Sequence, residues 1–413
     1  MIAITKKEIR KIRPEQLFML SVLFVNGGNY LYNLILGRLL GPEQFADAAV
    51  LITFLLILSF VAMTFQLVTA KFSVLFTRGL FKAFISKIYK YALGFGILFG
   101  LLIVLFSNQL QQMLQTSSNS MFIIFGMGVP LYFLMSVNRG IYQGKKEFKS
   151  LSMTYQSEML SRLLLTLALI LFFDVQSAVV VSIGIVASLV FGLFPIKWNA
   201  LSFKESFVID KTQNKNILKF FVLTAFYEFT QIIINNSDIL MVKHYFDSYQ
   251  AGLYASLALI GRVVYFVAWM FVMLLLPTVI QLKKEGKETA PVLFKYVFYI
   301  VILSLVIITG CLLFPETIIE LMFGSSYLAM APLLWKYAVA TSLFAISNIF
   351  AYYYLSLDKY VPVIISGVFG MLQIVLVALF HESLVQVVHM QIIAMISLLT
   401  IQLFFFLLDY KKA

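Results

Sequence analysis

Twelve apolar stretches, each close to the length of one membrane crossing, divide this chain and limit what it can fold into. A spanning helix needs about 20 mostly apolar residues. The stretches lie near 16–38, 44–70, 88–108, 119–141, 151–173, 177–197, 217–241, 249–281, 291–314, 330–356, 361–380 and 384–408. With 61% hydrophobic and 12% charged residues in 413, there is more apolar side chain than a water-soluble core of this size buries. The bilayer is therefore part of the solvent. An all-α polytopic membrane protein is expected, because a helix satisfies its own backbone in hydrocarbon.

The cations set the expected orientation. With the N-terminus inside, 26 of the 31 Lys and Arg residues fall in segments on one side of the membrane. That excess places both termini in the cytoplasm. The formal charge of +12 is then accounted for by orientation and anionic lipid headgroups, not by nucleic acid. The basic start MIAITKKEIRKIRPEQ precedes an apolar run that is too long for a signal peptide and has no small-residue cleavage site. Residues 1–15 are accordingly taken as a cytoplasmic segment before the first helix. A single cysteine, Cys311, excludes an intramolecular disulfide.

The polar stretch WNALSFKESFVIDKTQNKN, residues 198–216, separates an N-terminal six-helix bundle, 16–197, from a C-terminal one, 217–413. An offset of 205 sets YNLILGRLLGPEQFADAAVL over SDILMVKHYFDSYQAGLYAS, pairing Asn33 with Asp238 and Arg38 with Lys243. An offset of 212 sets IYQGKKEF over YYLSLDKY. The two pairings point to an internal repeat. Six helices per half make the repeats parallel, related by an axis along the membrane normal, with a cavity between them.

Motifs for catalysis are missing: there is no HExxH, CxxC or P-loop. The run GFGILFG sits inside the third span and is assigned to close packing through Gly96 and Gly100. The outer loops, the longest at 108–120 and 314–332, leave little room for a membrane glycosyltransferase. A non-enzymatic protein without a resident cofactor is expected.

The informative residues are polar ones at membrane depth. Arginine near the bilayer centre costs about 2.5–3.5 kcal/mol on insertion scales, so it should face a bundle interior or an aqueous cavity. Arg162 lies mid-span, with Glu158 one turn before it on the same face. Arg262 has no acidic residue three or four positions away. Glu228 and Asp238 lie in the seventh span, and Asn26, Asn29 and Asn33 form a stripe on the first. The structural alternative makes Glu158 and Arg162 a neutral tie between helices and the Asn stripe interhelical hydrogen bonding. Arg38, Arg139, Lys243 and Lys336 lie nearer span ends, where they can snorkel. Pro130 and Pro277 are candidate kinks for a rocking motion.

At these residues the chain resembles a known family. LILGRLLGPEQFADAAVL, RGIYQGKKEF, SDILMVKHYFDSYQAGLYA and LMFGSSYLAMAPLL are similar to the corresponding segments of bacterial polysaccharide exporters in the multidrug/oligosaccharidyl-lipid/polysaccharide flippase superfamily. The resemblance implies two six-helix bundles in a V, in the bacterial cytoplasmic membrane. It implies flipping of undecaprenyl-pyrophosphate-linked oligosaccharides outward by alternating access, for a product such as capsule or O-antigen. Partners would be that lipid-linked substrate, membrane lipids, and polymerase and export machinery. It also implies a cationic cavity, which maps onto Arg38, Arg139, Arg162 and Arg262. Arginine suits a pyrophosphate by bidentate hydrogen bonding. Outward movement of an anion gains about 2.3 kcal/mol per charge per 100 mV. Coupling to H+, Na+ or the membrane potential stays open, with Glu158, Glu228 and Asp238 as ion-coupling candidates and Asn29 and Asn33 as cavity polar groups. The rival readings are a multidrug exporter of the same superfamily and a membrane-embedded polymerase or glycosyltransferase.

Overall fold

The computed structural model describes residues 14–76, 78–172, 177–196, 209–265, 285–357 and 359–410, with isolated positions between 266 and 284. Among the described residues all regular structure is helical. The helices are α1 (Pro14–Leu75), α2 (Arg78–Leu105), α3 (Ser107–Leu114), α4 (Ser120–Gly144), α5 (Phe148–Phe172), α6 (Ser177–Gly192), α7 (Lys211–Tyr245), α8 (Ser248–Gly261), α9 (Ala290–Leu313), α10 (Pro315–Met322), α11 (Ala331–Ser356), α12 (Val361–Leu379) and α13 (Leu384–Tyr410). A 3-10 turn, Ser325–Met330, leads into α11.

Nine of the described helices are long and apolar enough to cross a membrane. One of these, α1, holds two crossings. Its helix is interrupted at Gly41 (φ 72, ψ 172), a left-handed backbone that glycine adopts at little cost, followed by Pro42, which has no N–H to continue the ladder. The two arms double back there. Ser21 on the first arm is bonded to Gln156, and Gln66 on the second to Tyr155, so both reach the same level of α5. With the shorter α6 and with α8, whose continuation past Tyr265 is described only at isolated positions, the helices match the expected twelve. Large apolar side chains stand exposed along α2, α9 and α13, as a multi-pass membrane protein requires.

The breaks follow the two offsets. The interruption at Gly41 and the break at Phe246 between α7 and α8 are 205 positions apart. The ends of α4 at Gly144 and α11 at Ser356 are 212 apart. The second half turns without glycine: Phe246 is extended (φ −118, ψ 159), and Asp247 caps α8 by accepting from the Gln250 amide at 2.8 Å.

Three sequence expectations shift. The stretches 108–120 and 314–332 are not plain loops, since α3 and α10 occupy corresponding places in the two halves. The joining stretch 198–216 is helical from Lys211, started by a capping box in which Asp210 accepts from Thr212 and Gln213 accepts from the Asp210 amide. Its residues 198–208, like residues 1–13 and Pro277, lie outside the described residues. Finally, α2 begins at Arg78, ten residues before the apolar run, because Ala83, Phe84, Ile85 and Ile88 bury one face while Lys82 and Lys90 stay exposed.

Packing between helices is close where glycines allow it. A Cβ on Gly96 would fall 2.6 Å from Pro130 Cα, and one on Gly100 would fall 2.5 Å from the Gly126 carbonyl, so α2 and α4 meet backbone to backbone. The two halves meet along α1, which packs on both α7 and α8. At the Gly41 end this seam is polar: Asp47 and Lys243 form an ion pair at 2.9 Å, and the Tyr327 hydroxyl donates to the Gly37 carbonyl at 2.6 Å. Farther along it is aromatic, with Phe60 on Phe229 and Phe65 on Phe221 at centroid distances of 5.0 and 5.2 Å.

Candidate functional site

In the N-terminal half, the tight turn between α4 and α5 folds Arg139 back over the start of α5. Its Nε donates to Thr154 Oγ1 at 3.1 Å, and its Nη2 donates to the Thr154 carbonyl at 3.0 Å and to Glu158 Oε2 at 2.6 Å. The guanidinium stacks over Tyr155, 3.9 Å from the ring centre. The other carboxylate oxygen, Glu158 Oε1, is taken by Arg162 Nη2. One carboxylate therefore serves two guanidiniums, and the cluster keeps a surplus positive charge. Arg162 is only 9% exposed, yet its Nε–H has no hydrogen-bond partner. A buried donor left unpaired costs about 1–3 kcal/mol. Gly192 on α6 makes room for the cluster: a Cβ there would fall 2.5 Å from Met135 Sδ and 3.1 Å from Glu158 Cβ.

The C-terminal half holds a different centre. Arg262, just past the end of α8, donates to Asp238 Oδ1 at 2.8 Å and to Asn236 Oδ1 at 3.3 Å. Asp238 Oδ2 accepts from Tyr337 at 2.8 Å, from Tyr254 at 3.1 Å and from Gln391 at 3.1 Å. A carboxylate has about four lone-pair sites. Four donors reach it here, one on Oδ1 and three on Oδ2, and the charges cancel one to one. Beside this pair lies a pocket of about 290 Å³, counted to its mouth, between α7, α8, α11, α12 and α13.

The remaining candidates are placed elsewhere. Arg38 joins neither centre. It is exposed, and its Nη1 donates to the Leu321 carbonyl at 3.0 Å, closing the last turn of α10. Arg139 and Lys243 do not snorkel; both are buried, Lys243 at 1% exposure, because each finds a carboxylate at depth. Lys336 approaches His389 Nε2 at 3.4 Å. Along the Asn stripe, Asn33 is bonded to its own helix at the Asn29 carbonyl, 2.8 Å, while Asn29 Oδ1 is buried without a partner and Asn26 is exposed. Glu228 is half-buried and has no hydrogen-bond or ion-pair partner among the described residues.

Comparison with known proteins places this arrangement. A family profile described as "Polysaccharide biosynthesis protein" matches residues 35–332, most of the chain. The chain belongs to the polysaccharide biosynthesis protein family. Its structure is similar to that of the lipid II flippase MurJ in an inward closed conformation (TM-score 0.76, 15% identity, covering 94% of this chain and 87% of that one). It is also similar to an inward-facing multidrug resistance MATE transporter of the MOP superfamily (TM-score 0.74, 13% identity, covering 90% and 93%). At such identity these likenesses speak to the fold, which is the V-shaped fold of that superfamily. An uncharacterized membrane protein of Methanocaldococcus jannaschii is 26% identical over 215 residues, 48% of this chain and 49% of that protein. The chain thus spans about half the length of the curated relative it matches. Family and fold together make this a multi-pass membrane protein of the polysaccharide biosynthesis family.

For this family member, sequence reasoning missed most of what completes the two centres. Thr154 and Tyr155, which hold Arg139, and Tyr254, Tyr337 and Gln391, which donate to Asp238, were not singled out. The available signal was the hairpin: Arg139 and Glu158 flank one tight turn, and Asp238 and Arg262 flank another.

Proposed function

We propose that the protein moves undecaprenyl-pyrophosphate-linked oligosaccharides from the cytoplasmic to the outer leaflet by alternating access, and that it is not an enzyme. The observation carrying this reading is the Arg139–Glu158–Arg162 cluster, a buried site with one surplus positive charge and an unpaired Arg162 N–H. A pyrophosphate supplies what that cluster lacks, charge and acceptors, in a setting where water competes little. A cationic drug would meet two carboxylates already held by arginines, which speaks against multidrug export.

The Lys and Arg distribution supports cytoplasmic termini with the Gly41 end outside, in the bacterial cytoplasmic membrane. The contacts of Asp47 with Lys243 and of Tyr327 with Gly37 then join the halves at the outer face, and that of Lys87 with Asn214 joins them at the cytoplasmic face, so each would part in turn as access alternates. The inside-negative potential drives an anion outward. Any ion that resets the empty carrier has Glu228 as the free carboxylate to use, since Asp238 and Glu158 are occupied.

The test is deletion of the gene followed by lipid extraction. Build-up of complete undecaprenyl-pyrophosphate repeat units with loss of surface glycan is expected. If no such intermediate accumulates and sensitivity to cationic drugs rises instead, the flippase reading is wrong.

A further inference from the structure

Two short helices at the Gly41 end of the molecule mirror each other. Helices α3 and α10 are each eight residues long and lie 208 positions apart, between the two offsets of the repeat. Each lays its last turn on the opposite half. Arg38, near the end of the first arm of α1, donates from Nη1 to the carbonyl of Leu321, the next-to-last residue of α10, at 3.0 Å. His244, near the end of α7, donates from ring Nδ1 to the carbonyl of Met113, the next-to-last residue of α3. The offset of 205 pairs Arg38 with Lys243, the neighbour of His244, so the contact itself is repeated. The last carbonyls of a helix have no partner within it and carry the negative end of its dipole, which makes side chains of this kind fitting donors.

We propose that α3 and α10 are a reciprocal pair of lids over the seam between the halves, each caught by the opposite half, so that neither lifts alone. Further contacts fasten both. After α3, Gln115 turns the chain in a left-handed conformation (φ 47, ψ 43), strained for a residue other than glycine, and its Nε2 donates to the His244 carbonyl at 3.2 Å. Two residues on, the Ser117 amide donates at 2.8 Å to Asp47 Oδ2, the carboxylate whose other oxygen holds Lys243. After α10, Phe323 fills the space beside Gly37, where a Cβ would fall 2.4 Å from its ring, and the Tyr327 hydroxyl bonds the Gly37 carbonyl. Each lid therefore grips the opposite half beside its helix break, at Gly41 or at Phe246. Packed halves part as bodies, so a movement that frees one lid pulls on the other. The use of these lids in transport rests on the alternating-access reading; their coupling does not.

The experiment uses the purified full chain in nanodiscs without substrate, carrying Cys311→Ala and spin labels on introduced cysteines. One pair, Glu43→Cys with Glu320→Cys, reports on α10 against α1. A second, Gln112→Cys with Tyr249→Cys, reports on α3 against α8. All four positions are exposed. Distances by electron paramagnetic resonance should be short and narrowly distributed for both pairs in the parent protein. Arg38→Ala should widen both by about 5 Å, the scale of a one-turn slip, and His244→Ala should do the same, although each removes a single catch. Arg38→Lys and His244→Asn, which keep a donor, should hold both distances at the parent values. The proposal is overturned if each alanine variant loosens only its own lid, or if neither pair moves. It is equally overturned if the donor-keeping variants open as far as the alanine ones. The flippase reading is decided separately by the lipid that builds up on gene deletion, so lids that move independently would leave it standing.

Discussion

The two buried charge centres of this molecule occupy the two halves of one repeat, yet they are built on opposite principles. Around Glu158, two arginines share one carboxylate and an N–H is left over. Around Asp238, one arginine meets one carboxylate, and two tyrosines and a glutamine donate to its other oxygen. On the reading proposed above, the first is a site that a ligand completes. The second is complete without one. A duplicated scaffold can thus hold its helix breaks in register while its halves diverge in chemistry.

The largest expected effects come from removing either carboxylate. Breaking a buried pair by deleting one partner costs about 3–5 kcal/mol, because the other charge stays dehydrated. Asp238→Ala and Glu158→Ala should both lose stability on that scale in thermal denaturation of the detergent-solubilised protein. Millimolar pyrophosphate should restore melting of Glu158→Ala, where it can replace the lost anion between two arginines, and should leave Asp238→Ala unchanged. Equal rescue of both would erase the contrast.

A smaller loss of stability is expected for Arg162→Ala, about 1 kcal/mol, since Glu158 keeps its pairing with Arg139. Surface glycan should nevertheless disappear while membrane insertion is retained; normal export with this variant would remove the arginine cluster from the mechanism. The mildest change is Glu228→Gln. With no partner to lose among the described residues, its stability should stay within about 0.5 kcal/mol of wild type. Transport by reconstituted protein should become independent of an imposed proton or sodium gradient, and an unchanged gradient dependence would free Glu228 of that role.

The fold was largely legible because hydrocarbon enforces a simple rule: a run of about 20 apolar residues becomes a helix. Even the turn positions could be aligned, since the two offsets set the ends of corresponding spans over one another. What escaped was depth and partnership. Arg139 and Lys243 look like end-of-span residues that snorkel, but each has a carboxylate on another helix to hold it inside. Glu158 and Arg162 were visible as a pair because one helical turn separates them. Asp238 and Arg262, 24 residues apart on different helices, follow no local period, and Asp47 lies nearly half the chain away from Lys243. Tertiary pairing of this kind is decided by packing, which periodicity does not encode.

The pairing of Asp47 with Lys243 has a bearing on leakage. The two residues belong to opposite halves, and both are almost wholly withdrawn from water. Pulling such charges slightly apart gives up their attraction before either is rehydrated, so intermediate separations are the least favourable. On the carrier reading proposed above, the halves would then favour two arrangements, joined or fully parted, and small ions would find little time with the seam ajar in which to leak across.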